Sequence, residues 1–128
     1  MARILIAEDD QAMRVFLDRA LSRSGHEVNA MPSGETAAQC AESQAFDLLL
    51  TDVDMPGLNG VDLARLVLEK SPKQAVLFVT GFAAQALQAT DVLACGARVL
   101  SKPFALSDLV AQVDGVLGRG LTPPRGSS

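Results

Sequence analysis

"DLLLTDVDMPG", residues 47–57, runs three leucines straight into two carboxylates one residue apart and then turns on Pro56-Gly57. A short, continuous apolar run that ends in a turn signal reads as a strand buried on both faces. Asp52 and Asp54 therefore sit where a buried strand meets a loop. A charge there is costly unless something binds it.

Three further apolar runs stand in the chain: "ILIA" (4–7), "AVLFV" (75–79) and "VL" (99–100), with a more polar strand-like "HEVNA" (26–30) between the first two. Stretches with helical periodicity separate them. Met13, Phe16, Leu17, Ala20 and Leu21 recur at helical spacing, Asp10 is placed to cap and Gly25 to end the helix, so a helix is expected over about 11–24. A short helix over 33–43 follows, with Ser33 as its cap. Val61, Ala64, Val67 and Leu68 form one later stripe, and Leu106, Leu109, Val110, Val113 and Leu117 another. Residues 83–95 read as one alanine-rich, poorly amphipathic helix. This strand-helix alternation predicts an α/β fold, (βα)5 and flavodoxin-like, with a five-stranded parallel sheet of order 2-1-3-4-5, helices on both faces and strand 2 at an edge. In that order the first and third strands adjoin at the topological switch point, where ligands bind beyond the carboxyl ends. Glu8, Asp9 and Asp10 after the first strand and Asp52 after the third are thereby expected in one crevice.

The chain has 128 residues, 48% hydrophobic and 20% charged, which fits one globular domain over 1–118. The tail 119–128, "RGLTPPRGSS" after Gly118, is rich in Pro, Gly and Ser and reads as disordered. No apolar run approaches the length of a membrane span and no secretory leader is read at the start, so no membrane and a cytoplasmic setting are expected. A net charge of −4 with only three lysines argues against nucleic acid as a partner. Cys40 and Cys95 have no neighbouring Cys or His and read as small core residues. His26 reads as a surface residue at an edge strand, and Val15, Phe82 and the apolar positions of 83–95 as scattered surface or core residues.

Several carboxylates packed together raise one another's pKa unless a cation neutralises them. Mg²⁺ suits that task, since it takes oxygen ligands and uses one or two carboxylates with waters and a phosphate. A carboxylate ionised at neutral pH can also act as a nucleophile towards phosphorus and form an aspartyl phosphate. Thr80 after "VLFV" and Lys102 after "RVLS" supply a hydroxyl and a fixed cation at two more strand ends, both suited to phosphoryl oxygens.

With those residues in view, positions 2–118 resemble the receiver domain of two-component response regulators. "AEDDQAMR" is similar to that family's acidic signature, "DLLLTDVDMPGLNG" to its phospho-acceptor segment, "VLFVTG" to its hydroxyl segment and "LSKPF" to its lysine-proline segment, in family order and spacing. The resemblance implies that Asp52 accepts phosphate and Asp9 binds Mg²⁺ directly. It further implies that Glu8 acts on the metal mainly through water, and that the backbone carbonyl of Asp54 completes the metal site. Thr80 would bind a phosphoryl oxygen, Lys102 would pair with the phosphate, and the Lys102-Pro103 peptide would be cis. Asp10 stays a helix cap. A histidine kinase or histidine-phosphotransfer protein is the implied donor and a protein target the implied reader, with no turnover chemistry beyond self-phosphorylation and autodephosphorylation. One position departs: the family usually carries Tyr or Phe three residues before the lysine, and Val99 stands there. "MARILIAEDD" and "GAxVLSKPF" further resemble the CpdR type of stand-alone receiver, which implies regulation of an ATP-dependent protease in the cell cycle.

Two alternatives are weighed against this. A haloacid-dehalogenase-like phosphatase would share Asp52-x-Asp54, Thr80 and a later lysine, but carries its Asp-x-Asp on the first strand and its acidic pair last. The chain could also be the receiver part of a longer regulator.

Overall fold

The computed structural model describes residues 2–81 and 83–118. Five parallel strands, β1 (Arg3–Ala7), β2 (Glu27–Met31), β3 (Leu48–Thr51), β4 (Ala75–Thr80) and β5 (Arg98–Ser101), form one sheet in the order β2-β1-β3-β4-β5. Helices α1 (Gln11–Arg23), α2 (Gly34–Ser43), α3 (Gly60–Lys70), α4 (Ala83–Leu87), α5 (Thr90–Ala94) and α6 (Leu106–Gly118) occupy the connections. The expected fold class and strand order are both found.

Side chains alternate between the two faces of each strand. Ile4, Ile6, Leu48, Leu50, Leu77 and Val79 therefore point to one face, where α1 (Leu17, Leu21) and α6 (Leu109, Val113, Val116) cover them. Leu5, Ala7, Leu49, Val76 and Phe78 point to the other, against Ala37 of α2, the Val61–Leu68 stripe of α3, Ala86 of α4, Ala89 between the two helices and Val92 of α5. Both faces of the sheet are thus covered, and that is why the strands read as unbroken apolar runs.

The helix starts follow local chemistry. The Asp10 side chain accepts from the Ala12 N–H (3.1 Å) and Ser33 Oγ from the Thr36 N–H (3.1 Å), as expected from the sequence. Asn59 does the same for α3 through the Asp62 N–H (2.9 Å). Gly25 takes φ +93 after α1, a conformation that favours glycine.

Three expectations are corrected. Residues 83–95 are not one helix: α4 stops at Leu87, and α5 starts at Thr90. Ala86, Ala89 and Val92 are all buried (0%, 5% and 1% exposed) and stand three apart. At 3.6 residues per turn an unbroken helix would rotate Val92 about 120° away from Ala86. The break at 88–89 keeps all three on the sheet, with a tight Ala89 N–H to Ala86 carbonyl bond (3.1 Å). Cys95 is exposed rather than a core residue, whereas Cys40 is half-buried and packs against the core as expected. The β2 strand begins one residue later than expected; His26 precedes it, and its Nδ1 accepts from the Ala2 N–H (3.1 Å). Phe82 and the tail 119–128 lie outside the described residues. Among the described residues, no helix is long and apolar enough to cross a membrane.

Candidate functional site

Ala7 and Thr51 are register partners on adjacent strands, so the next residue of each, Glu8 and Asp52, leaves the sheet at the same level. Two main-chain bonds continue the ladder there, Asp52 N–H to the Ala7 carbonyl (3.0 Å) and Glu8 N–H to the Met31 carbonyl (3.1 Å). Thr80 pairs with Ser101 at the ends of β4 and β5, and the Lys102 N–H donates to the Thr80 carbonyl (2.8 Å). Lys102 then reaches back across β4. Its Nζ donates to Glu8 Oε1 (2.9 Å) and to Asp52 Oδ2 (3.0 Å). The Lys102-Pro103 peptide is cis, as the resemblance implied.

The acids differ sharply in exposure. Glu8 is 1% and Asp52 8% exposed, Thr80 is fully buried, and Asp9 and Asp54 are at the surface. Carboxylate oxygens of Glu8, Asp9 and Asp52 all lie within 4.8 Å of one another, whereas the Asp54 side chain is not part of that cluster. Asp54 instead contacts the site through its main chain, with its N–H directed at Asp52 Oδ1 (3.3 Å) beside that of Val53 (2.7 Å). One oxygen of Asp52 is therefore held by two amides and the other by an ammonium.

Burial pushes the Glu8 carboxyl up to about 7, and the neighbouring Asp52 charge adds to the rise, against the opposing pull of Lys102 and the Asp10 N–H. For Lys102, burial works against the charge, yet the hydrogen bonds to Glu8 and Asp52 leave its pKa raised. Between the ordinary 4.5 and about 7, unfolded chains have released the Glu8 proton that the folded protein keeps. Stability conferred by that proton falls as pH rises through this window and is gone above it. In the absence of divalent ions, Glu8→Gln is expected to flatten this decline. Denaturant melts from pH 5 to 8 should show wild type losing, relative to the variant, on the order of 2–3 kcal/mol. Parallel pH curves would contradict it.

These donors fit a hard divalent cation. Three carboxylates converge, two of them buried, and Lys102 is the one cation hydrogen-bonded to them among the described residues. The sequence-expected residues Glu8, Asp9, Asp52 and Lys102 are thus brought together, and Thr80 stands at the adjoining strand end.

Three supporting residues were not legible as such. Arg14 folds back from α1 so that Nη1 donates to the Glu8 carbonyl (2.9 Å). Thr51 Oγ1 donates to the Asp52 carbonyl (2.8 Å), and Gly60 lies so close to the same carbonyl that a Cβ would overlap it. Arg14 and Thr51 stood inside the quoted motifs, and the repeated glycine of "PGLNG" was the signal for Gly60.

Residues 4–114 match the family described as the response regulator receiver domain. The chain is 44% identical over 117 residues to the response regulator receiver protein CpdR of Brucella abortus, covering 91% of this chain and 98% of that one. Among solved structures it is similar to the chemotaxis protein CheY4 of Vibrio cholerae, with TM-score 0.82, 28% identity and coverage of 91% and 99%. It is also similar to the response regulator TrrA of Thermotoga maritima in complex with Mg²⁺-BeF, with TM-score 0.81, 25% identity and coverage of 91% and 100%. The strand order and the acidic crevice agree with these likenesses: the chain belongs to the response regulator receiver family of two-component signalling.

Proposed function

We propose that the protein is a single-domain switch, phosphorylated on Asp52 by a histidine kinase or histidine-phosphotransfer protein in the cytoplasm and read by a partner protein. One observation carries this: a nearly buried carboxylate at a strand end, fixed by two amides and an ammonium, beside an open acidic rim. In the transfer, an Asp52 oxygen attacks the phosphorus of the donor's phosphohistidine. A P–O bond forms, the P–N bond breaks, and the imidazole, already protonated on its other ring nitrogen, leaves as the neutral ring. Lys102 meets the charge on the phosphoryl oxygens, and the Thr80 hydroxyl donates to one of them. Mg²⁺, held by Glu8, Asp9, Asp52 and the Asp54 carbonyl, would neutralise that charge further when bound.

We place the donor's docking in a groove between α1 and α6. Val15, Phe16 and Leu106, 40%, 41% and 51% exposed, line it with Val110, and Arg19 and Arg23 border it. Exposed apolar side chains gathered in one groove mark an interaction site. Phe16→Asp is expected to slow transfer from a protein donor about tenfold or more while leaving uptake from acetyl phosphate unchanged, as buried aromatic anchors commonly contribute 2 kcal/mol or more. Equal loss with both donors would place Phe16 in the fold instead. The downstream reader is a protein, and the likeness to the CpdR type favours a component of an ATP-dependent protease.

The direct test is intact mass after incubation with acetyl phosphate and Mg²⁺. A gain of one phosphate supports the proposal. No gain, or steady hydrolysis of a phosphate ester, would overturn it.

A further inference from the structure

The loop from Asp52 to Asn59 joins β3 to α3 and holds Asp54 and the Pro56-Gly57 turn. Its inner end is closed by the Gly60 N–H bonding the Val53 carbonyl (3.0 Å). Its outer end is gripped by another element altogether. Glu35, in the first turn of α2, accepts from the Leu58 N–H through Oε2 (2.8 Å), across 23 residues of sequence. That backbone N–H is the foremost reason the Glu35 carboxyl lies below its usual range.

Two glycines make room for the contact. Gly57 has φ +74, and a Cβ on it would run into the Glu35 carboxylate. Gly34, the residue before Glu35, lies so close to the Leu58 carbonyl that a Cβ would overlap it. At Gly34 the obstacle is backbone, so α2 and the loop tip could not come this close with a larger residue there. Leu58 packs against the core cluster that Ala37 of α2 also joins, so the loop tip and the helix share a common floor.

We propose that Glu35 is a positioning residue for the phosphorylation site: it holds the β3–α3 loop so that the Asp54 main chain stays where a divalent ion bound at Glu8, Asp9 and Asp52 can use it. The inference rests on the function proposed above. It gives α2, which bears none of the acids, Thr80 or Lys102, a hold on the site from outside. A purely local role is the competitor, because an acid in a helix's first turn also complements the helix dipole. The two differ in what glutamine does. Glu35→Gln keeps an oxygen that accepts from the Leu58 N–H but loses the charge that the dipole favours.

Mg²⁺ is titrated into wild type, Glu35→Ala, Glu35→Gln and Glu42→Ala, a control on the same helix, without phosphodonor, and the amide shifts of residues 8, 9 and 53 are followed by NMR. Glu35→Ala is expected to bind about fivefold more weakly, the scale of one lost hydrogen bond. Glu35→Gln should stay within about twofold and Glu42→Ala at the wild-type value. In metal-free protein the Leu58 amide should exchange faster with solvent in Glu35→Ala only. If Glu35→Ala binds Mg²⁺ as wild type does, or if Glu35→Gln fails as badly as alanine, the inference falls. If wild type itself neither binds Mg²⁺ nor gains phosphate, the proposed function falls and takes the inference with it.

Discussion

Asp52→Asn is expected to gain no phosphate from acetyl phosphate and Mg²⁺ under conditions that fully label wild type. The substitution nearly preserves shape, and an Asn oxygen can still accept from the Val53 N–H. What it removes is the negative oxygen facing Lys102 at 3.0 Å, and with it the nucleophile. The nearest rival acceptor is Glu8, which holds the same ammonium at 2.9 Å. Glu8 is only 1% exposed against 8% for Asp52, so a phosphodonor has less access to it. Asp9 and Asp54 are exposed, but the Lys102 ammonium bonds Glu8 and Asp52 instead. Intact mass followed by peptide mapping decides the matter: label persisting in Asp52→Asn, on Glu8 or elsewhere, would remove Asp52 from its assigned place.

The acids were legible because strand ends are legible. Leu48–Leu50 and Ile4–Ile6 mark buried strands, so Glu8 and Asp52 had to emerge at the sheet's carboxyl edge, and the parallel order made them neighbours. Lys102 was legible for the same reason, although its crossing of β4 to two acids was not. Contacts between elements left no periodic trace. Nothing in the sequence singled out Glu35, because its bond to the Leu58 N–H depends on how α2 docks rather than on anything within α2. Arg14 stood inside the quoted acidic segment, but its bond to the Glu8 carbonyl was not visible there. The break at 88–89 was hidden because alanine and glutamine favour a helix, and only burial of Ala86, Ala89 and Val92 on one side overrides that preference.

Thr80→Ala is expected to abolish the response of α4 to phosphorylation while Val99→Ala leaves it intact. A phosphoryl group on Asp52 adds close to two negative charges beside Lys102. Thr80 ends β4, and its carbonyl already accepts from the Lys102 N–H, so a shift of its hydroxyl towards the phosphoryl oxygens draws on the chain that follows. That chain is built to yield. Gly81 has no neighbour within 4 Å of where a Cβ would stand, and α4 is only the five residues Ala83–Leu87, with Leu87 56% exposed. The next helix is anchored differently. Arg65 of α3 makes a two-pronged contact with Asp91 of α5 (2.8 and 3.2 Å), and Val92 is buried beneath it. Motion should therefore concentrate at 83–89 and fade across α5. Val99 offers no ring to swing. It is half-buried against the cluster that contains Phe78, and a β-branched side chain has little rotamer freedom. A population shift requires two states with different contacts to the ligand, and here the Thr80 hydroxyl is the group that can make and break one. Beryllofluoride with Mg²⁺ serves as the phosphoryl mimic, and backbone amide shifts are followed in wild type and both variants. Shifts at 83–89 should survive Val99→Ala and collapse in Thr80→Ala even where the mimic still binds; the opposite pattern would put the switch on β5.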